Sequence, residues 1–200
     1  MIITVAGFKG GVGKTTTAVH IGCYLAATAS TLLVDGDPNR SATGWAARGT
    51  LPLKVVDVMA SAKHAPNFEH IVIDTAARPD RESLESLVEG CDLLILPTAP
   101  EALALDAMIQ TIDLLDELGA QSYRVLLTMV PSAPRKTGPQ ARAALKGLPL
   151  FSKSIRRAAA FEKASLKGIP VNEVKGDANA RNAWNDYRAV CKEMMEVISG

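Results

Sequence analysis

A glycine-rich segment near the start of the chain combines residue types that hold a phosphate group. It separates an apolar run at residues 2–6 from an apolar-periodic run that begins at Thr17, and it reads Lys9, Gly10, Gly11, Val12, Gly13, Lys14, Thr15, Thr16. A strand, a glycine-rich loop and a helix start therefore follow one another, as a phosphate cradle requires. Glycines let backbone N–H groups approach an anion, and the helix N-terminus adds unpaired N–H donors. We expect Lys14 to reach the β- and γ-phosphates of a nucleotide and the Thr15 hydroxyl to bind Mg²⁺.

Acidic residues close two of the apolar runs that follow. Residues 70–74 end in Asp74, and residues 32–34 lead into Asp35 and Asp37, which an extended chain places on the same side. A phosphate loop needs an acid for Mg²⁺ and a group that positions the attacking water. We expect Asp74 to contact Mg²⁺ through a water molecule. The alternatives are a helix cap for Asp74 and a plain turn for the segment that holds Asp35 and Asp37.

Apolar strand-like runs alternate with helical patterns along the whole chain. The predicted strands are residues 2–6, 31–35, 54–56, 70–74, 93–97 and 123–130. The predicted helices are residues 14–27, 41–48, 81–89, 102–118, 140–145, 158–167 and 178–198. Most strands are continuously apolar, which is typical of a parallel sheet covered on both faces. We predict one domain over residues 1–200, an α/β fold with a doubly wound, mainly parallel sheet and helices on both faces.

The composition is that of a globular chain with an uneven charge distribution. The 200 residues are 48% hydrophobic, the net charge is +1, and no apolar run reaches the roughly 18 residues of a membrane-spanning helix. Residues 69–118 hold 12 acidic and two basic side chains, whereas residues 135–175 hold ten basic and two acidic ones. This asymmetry favours charged partners, and two solvated faces that merely differ are the alternative.

Cysteine and histidine spacing argues against a disulfide framework or a metal cluster. The three cysteines lie far apart, and the three histidines lack the spacing of metal ligands: Cys23, Cys91, Cys191, His20, His64, His70. The chain also begins on an apolar strand without a basic leader. We therefore expect a cytoplasmic protein whose histidines have core or surface roles.

The glycine-rich segment departs from the strict phosphate-loop pattern, because Phe8 stands where the first glycine belongs and Lys9 is an additional lysine. In this form it resembles the deviant Walker A motif of the ParA/MinD family of ATPases. Residues 32–39 are similar to the family's second motif, with Asn39 in place of the usual glutamine, and residues 70–75 have the Walker B form. Because the first strand opens the chain, the resemblance is to the short, ParF-like branch, which includes McdA-type carboxysome-positioning proteins. The family's fold is a P-loop NTPase domain.

The resemblance implies a role for each charged residue of these motifs. Lys14 binds phosphates in its own subunit. Lys9 has no evident duty there, and the matching lysine of the family crosses to the partner's nucleotide in an ATP-sandwich homodimer. The acid matching Asp37 polarises the attacking water, and the acid matching Asp35 lies near the phosphates and Mg²⁺. The expected catalytic residues are Lys9, Lys14 and Asp37, the expected metal ligands are Thr15, Asp35 and Asp74, and the expected cofactors are ATP and Mg²⁺.

Two further sets of residues are assigned by the resemblance. One set matches positions where family members surround the adenine: Met129, Pro131, Pro170, Val171 and Asn172. The other set lies where ParA-like dimers carry basic residues that bind DNA without sequence specificity: Arg156, Arg157, Lys163 and Lys167. Contacts to backbone phosphates need only lysine and arginine, which fits the second set.

The resemblance implies a weak, Mg²⁺-dependent ATPase that an adaptor protein stimulates. In the ATP state such proteins bind DNA over the nucleoid and position or segregate a plasmid, a chromosome or a protein organelle such as the carboxysome. Residues 188–200 mix acids and bases without Phe or Trp, so we expect no membrane-binding helix of the MinD kind. The alternatives are a MinD-like membrane-surface ATPase, a ligase-like metabolic or maturation enzyme, an iron protein and a nucleotide-binding module without turnover. The single Cys91, with no evident partner, argues against the iron protein.

Overall fold

Six parallel strands form one sheet in a computed structural model that describes residues 1–77 and 79–200. The strands are β1 (Ile2–Gly7), β2 (Thr31–Gly36), β3 (Lys54–Asp57), β4 (His70–Ala77), β5 (Leu93–Thr98) and β6 (Tyr123–Leu127). Their order is β3-β2-β4-β1-β5-β6, and every pairing is parallel. Strands β2, β3 and β4 lie on one side of β1 in the sheet, and β5 and β6 lie on the other. The carboxyl end of β1 therefore lies at the topological switch point, where open α/β sheets bind ligands.

Helices connect the strands and cover the sheet. They are α1 (Lys14–Leu25), α2 (Ser41–Ala47), α3 (Val58–His64), α4 (Arg81–Glu89), α5 (Ala102–Glu117), α6 (Thr137–Ala144), α7 (Ala159–Lys167) and α8 (Ala180–Ser199). Two 3₁₀ turns span Ala65–Asn67 and Val171–Glu173. Every predicted strand and helix is present, with ends that shift by a few residues. None of the helices in the described residues is both long and apolar enough to cross a membrane.

Helix α3 was not predicted, and β6 is shorter than predicted. Asp57 caps α3 by accepting a hydrogen bond from the Ala60 N–H at 3.0 Å, but the helix buries no side chain. Without a buried face it has no apolar periodicity to detect. The strand predicted over residues 123–130 ends at Leu127, and Met129 then adopts a φ of 53°, a left-handed conformation that interrupts an extended chain.

Strand β5 shows why the strands are apolar on both faces. Leu93 and Ile95 belong to the core shared with α1, α7 and α8, whereas Leu94 and Leu96 belong to the core shared with α4, α5 and α6. Successive side chains of a strand point to opposite faces, so a sheet covered on both sides needs an unbroken apolar run. The two cores therefore pack both faces of the sheet and position the carboxyl ends of its strands, where Asp35 and Asp74 lie.

Candidate functional site

The glycine-rich loop lies between β1 and α1, at the switch point of the sheet. Gly13 stands at the N-cap of α1 with a φ of 86°, a backbone conformation that favours glycine. A Cβ on Gly7 would lie 3.0 Å from Cδ of Lys14, so the absence of a side chain there makes room for the lysine stem. Lys14 is 7% exposed, and no carboxylate in the described parts of the chain forms an ion pair with it. A buried cation at a helix N-terminus is suited to bind an anion.

Parallel register brings the predicted acids together beside this loop. Asp74 of β4 is the Cα partner of Val5 on one side and of Asp35 on the other, and Asp35 in turn pairs with Asp57. The strands β2 and β4 therefore end in neighbouring carboxylates. The family resemblance implied both residues as metal ligands, and the register places them on adjacent strands.

Asp74 is a buried carboxylate without a hydrogen-bond partner on either oxygen. Its pKa is raised to about 7, chiefly by burial and also by the carboxylates of Asp35 and Asp37, while the Thr15 hydroxyl and the Lys14 ammonium act in the opposite direction. Leaving a buried acid unsatisfied is costly, which indicates that something else satisfies it.

The residues around Asp74 fit a magnesium ion. The described residues contain no group of three or more His, Cys, Asp or Glu side chains that could hold a metal by themselves. Mg²⁺ commonly takes one or two protein oxygens and completes its shell with water and substrate phosphates. Asp74 and the Thr15 hydroxyl, next to the phosphate loop, supply such a partial ligand set.

Asp35 has a structural duty of the kind that the turn alternative described. Its Oδ2 accepts the Thr43 N–H at 2.7 Å, and its Oδ1 accepts the Asp37 N–H at 3.3 Å. Asp37 Oδ1 in turn accepts the backbone N–H of Asn39 at 2.8 Å and the Asn39 side-chain amide at 2.9 Å. The side chains of both residues thus stabilise the turn between β2 and α2 through hydrogen bonds to its backbone. Because both oxygens of Asp35 are already bonded, its role as a metal ligand stays a prediction.

Lys9 has a partner within its own chain, contrary to the expectation that it has no duty there. Its Nζ lies 3.6 Å from Glu101 Oε2, and the two side chains are 31% and 68% exposed. An ion pair this exposed contributes little to stability. The pair therefore places Lys9 beside Glu101, which lines the cleft, but is weak enough to be broken easily.

A cleft of about 1000 Å³ opens beside the phosphate loop. Its lining includes Gly13, Thr15 and Thr16 of the phosphate loop and α1, and Met129 and Pro131 after β6. Residues 155–158 also line the cleft, as do the aromatic residues Trp45, Phe161 and Tyr187. A backbone bridge pairs Val130 with Arg156, so the segment after β6 and residues 155–158 lie side by side.

Only two of the five residues predicted to surround the adenine line this cleft. Met129 and Pro131 line the cleft, but Pro170, Val171 and Asn172 do not. Val171 is 0% exposed, and its N–H donates a hydrogen bond to His20 Nε2 at 3.1 Å. Residues 155–158, which were not predicted to belong to the site, do line the cleft, and the adenine contacts of residues 170–172 stay a prediction. The strand-helix alternation could have indicated residues 155–158, because the apolar Ile155 lies in a short extended segment between α6 and α7.

The four basic residues predicted to bind DNA differ in their surroundings. Arg156 forms a two-point ion pair with Asp186, at 2.5 Å and 2.9 Å, and Lys163 Nζ lies 2.8 Å from Asp177 Oδ2. Arg157 and Lys167 are exposed, and neither forms an ion pair with the described residues. Because Arg156 is paired with Asp186, its guanidinium already binds a group of its own chain.

Loop, acids and cleft define a nucleotide-binding domain of the P-loop type. The chain belongs to the family described as the CobQ/CobB/MinD/ParA nucleotide binding domain, whose model matches residues 3–171. It is 38% identical to the maintenance of carboxysome distribution protein A of Gloeobacter kilaueensis over 204 residues, which cover 96% of this chain and 93% of the relative.

Two solved structures share the fold. Apo McdA from Cyanothece superposes with a TM-score of 0.78 at 20% identity, covering 97% of this chain and 98% of that one. An ATP complex of a Cyanothece McdA variant superposes with a TM-score of 0.77 at 18% identity, covering 97% and 96%. The fold predicted from the sequence is confirmed, as is membership of the ParA/MinD group.

Proposed function

We propose that this chain is an ATPase that dimerises with ATP, binds DNA non-specifically as the dimer and positions a cargo over the nucleoid together with an adaptor protein. The observation that supports it most is the pairing of the two-lysine phosphate loop with the buried, unsatisfied Asp74. The first feature suits a nucleotide shared between two subunits, and the second suits the Mg²⁺ that accompanies it. Residues 1–200 act as a single domain in this proposal.

The residues of the site divide the work of phosphoryl transfer. Lys14 and the N–H groups at the start of α1 hold the phosphates, while Thr15 and Asp74 hold Mg²⁺, with Asp35 close by. Mg²⁺, when bound, neutralises charge on the β- and γ-phosphates. Asp37 orients the attacking water. Such a reaction needs positioning and charge neutralisation more than covalent chemistry, so slow hydrolysis that an adaptor accelerates fits these groups.

Lys9 links hydrolysis to dimerisation in this proposal. A second subunit that presents its Lys9 to the γ-phosphate adds a cation where negative charge develops. Without that phosphate the ammonium group falls back on Glu101 of its own chain, 3.6 Å away. A weak, exposed intramolecular pair is easily exchanged for a stronger, partly buried one.

The charge distribution supports DNA as the surface on which the dimer works. Residues 135–175 carry ten basic side chains and two acidic ones, and Arg157 and Lys167 are exposed among them. Two subunits bring twice as many such groups to a DNA backbone, whose affinity for protein rises with each phosphate contact. Dimerisation by ATP therefore controls DNA affinity.

The carboxysome is the cargo that the relatives favour. The Gloeobacter protein, 38% identical along nearly the whole chain, is called a maintenance of carboxysome distribution protein. Plasmid or chromosome segregation is the second candidate, since ParA proteins belong to the same family. A ligase-like enzyme or a membrane-surface ATPase does not account for Lys9 and the basic segment together.

Substitution of Lys9 tests the proposal. With Mg²⁺ and ATP the parental chain should form a dimer in light scattering and retain DNA in a filter assay, and ADP should support neither. Lys9→Ala should stay monomeric, whereas Lys63→Ala, which removes an exposed lysine on α3, should behave like the parent. A Lys9→Ala chain that dimerises and hydrolyses ATP at the parental rate contradicts the proposal.

A further inference from the structure

His20 lies one turn along α1 from Thr16 and is completely buried among aromatic rings. It stacks on Tyr187 with 4.9 Å between ring centroids, and three more rings lie around it at 5.7, 5.3 and 6.2 Å: Trp45, Phe161 and Trp184. Burial lowers the pKa of His20 to about 4, although the hydrogen bond with Thr16 works against this. His20 is therefore neutral near pH 7, and the proposed chemistry does not use it.

Both ring nitrogens of His20 have backbone partners. Nδ1 lies 2.6 Å from the Thr16 carbonyl oxygen, and Nε2 lies 3.1 Å from the Val171 nitrogen. A carbonyl oxygen can only accept and a backbone N–H can only donate, so Nδ1 carries the proton and Nε2 accepts. The ring thus bridges the phosphate-binding end of α1 and the turn that follows α7.

The surroundings of His20 form part of the cleft. Thr16, Trp45, Phe161 and Tyr187 all line the cleft, so a nucleotide there would touch residues that contact the imidazole. The Tyr187 hydroxyl also forms a hydrogen bond with the Thr17 hydroxyl at 3.1 Å. Trp184 packs near His20 but does not line the cleft.

We propose that His20 is a positioning residue that couples nucleotide binding at Thr16 to the turn at Val171, and so holds α7 and its Phe161 against the cleft. The inference rests on the proposed nucleotide site. Helix α7 lies against the cleft only when both hydrogen bonds of the imidazole are made. If α7 is displaced in a fraction of the molecules, only the remaining fraction binds the nucleotide fully, and the apparent affinity falls accordingly.

Three substitutions separate the two hydrogen bonds. His20→Asn keeps a polar atom near the Nδ1 position and loses the acceptor for Val171, whereas His20→Gln reaches the Nε2 position and loses the bond to Thr16. Val171→Pro removes the N–H donor and leaves His20 intact, and the first position of a 3₁₀ turn tolerates proline. Since both hydrogen bonds are needed, we expect each of the three substitutions to weaken ATP binding about fivefold, the effect of one lost hydrogen bond. His64→Asn, on α3, is the control.

The two tryptophans of the chain report the coupling directly. With 5-fluorotryptophan incorporated, the wild-type chain gives two ¹⁹F resonances, which Trp184→Phe assigns. Trp45 lines the cleft and should shift when Mg²⁺ and ATP are added. Trp184 lies beyond His20 and should shift as well, with the same ATP dependence. In His20→Asn and in Val171→Pro the Trp45 shift should persist and the Trp184 shift should vanish.

The outcomes distinguish this inference from the proposed function. A wild-type chain in which Trp45 shifts and Trp184 does not contradicts the role of His20 alone. So does a Trp184 shift that survives in both His20→Asn and Val171→Pro. If neither tryptophan shifts and calorimetry detects no ATP binding, the nucleotide site itself is wrong and the role of His20 falls with it.

Discussion

The Thr128 hydroxyl lies 2.8 Å from the carbonyl oxygen of Val12, inside the phosphate loop. The same hydroxyl lies 3.0 Å from the Thr98 carbonyl oxygen, and Thr128 is 2% exposed. One buried side chain beyond the end of β6 therefore ties the loop to the end of β5. The position of the phosphate loop therefore depends on β5 and on the residue after β6, which lie outside the phosphate-binding sequence motifs.

Thr128→Val should loosen the phosphate loop while it keeps the size of the side chain. The Val12 carbonyl loses its hydroxyl donor, while the Thr98 carbonyl keeps the hydrogen bond from the Thr128 N–H, so we expect the free energy of unfolding to fall by about 1–2 kcal/mol. ATP affinity should fall about fivefold or more. Thr128→Ser keeps the hydroxyl and should retain most of both quantities. Urea denaturation and calorimetry with ATP measure the two effects, and equal behaviour of the valine and serine variants contradicts the assignment.

Asp74→Asn should stabilise the nucleotide-free chain at high pH and abolish hydrolysis. The folded-state pKa of Asp74 is raised to about 7 from 3.8, so the unfolded chain loses this proton first and stability falls as pH rises from 3.8 to 7. An amide avoids that cost, and we expect a gain on the order of 2 kcal/mol at pH 8 without Mg²⁺. Denaturation at pH 8 measures it, with the exposed Asp113→Asn as control. A destabilised Asp74→Asn chain contradicts the cost assigned to the carboxylate.

Apolar runs and the glycine-rich segment predicted the parallel sheet and the phosphate loop. That Asp35 and Asp74 serve the same metal ion was implied only by the family resemblance, and the register of β2 and β4 places the two residues side by side. The sequence did not predict that Lys9 pairs with Glu101, or that residues 155–158 rather than 170–172 line the cleft. The Lys9–Glu101 pair joins residues far apart in the chain, which no motif spacing encodes. The order of strands and helices could place a short extended segment between α6 and α7, but not its pairing with Val130, which is also a long-range contact.

The burial of His20 should make the chain sensitive to acid. Its folded-state pKa is lowered to about 4 from 6.5, so the unfolded chain binds the proton first and stability is lost as pH falls from 6.5 to 4. The loss should total on the order of 3 kcal/mol. Asp74 acts in the opposite direction between 3.8 and 7, so the two effects partly cancel in the parental chain.

Removal of Asp74 reveals the contribution of His20. In the Asp74→Asn chain the free energy of unfolding should rise steadily from pH 4 to 6.5, and His20→Gln in the same background should flatten that rise. Urea denaturation at several pH values measures both slopes. Parallel slopes with and without His20 show that another group is responsible.

Arg156 and Arg157 are neighbours in sequence, but their removal should have different effects. Arg156 holds Asp186, whose side chain is 2% exposed, while Lys153 lies 3.3 Å from the same carboxylate. Because Arg156 itself is 37% exposed, solvent screens part of the pair, and we expect Arg156→Ala to cost about 2 kcal/mol of folding free energy. Arg157→Ala removes an exposed side chain without an ion pair and should cost less than about 0.5 kcal/mol.

The order of the two variants should reverse for DNA. Arg157 is free to meet a phosphate, so Arg157→Ala should reduce the salt dependence of DNA binding by about one phosphate contact in the presence of ATP. Arg156 is committed to Asp186, and a chain without it should keep the parental salt dependence once enough folded protein is present. DNA-binding titrations over a series of salt concentrations decide the question. If Arg156→Ala loses the phosphate contact and keeps its stability, the guanidinium serves DNA rather than the fold.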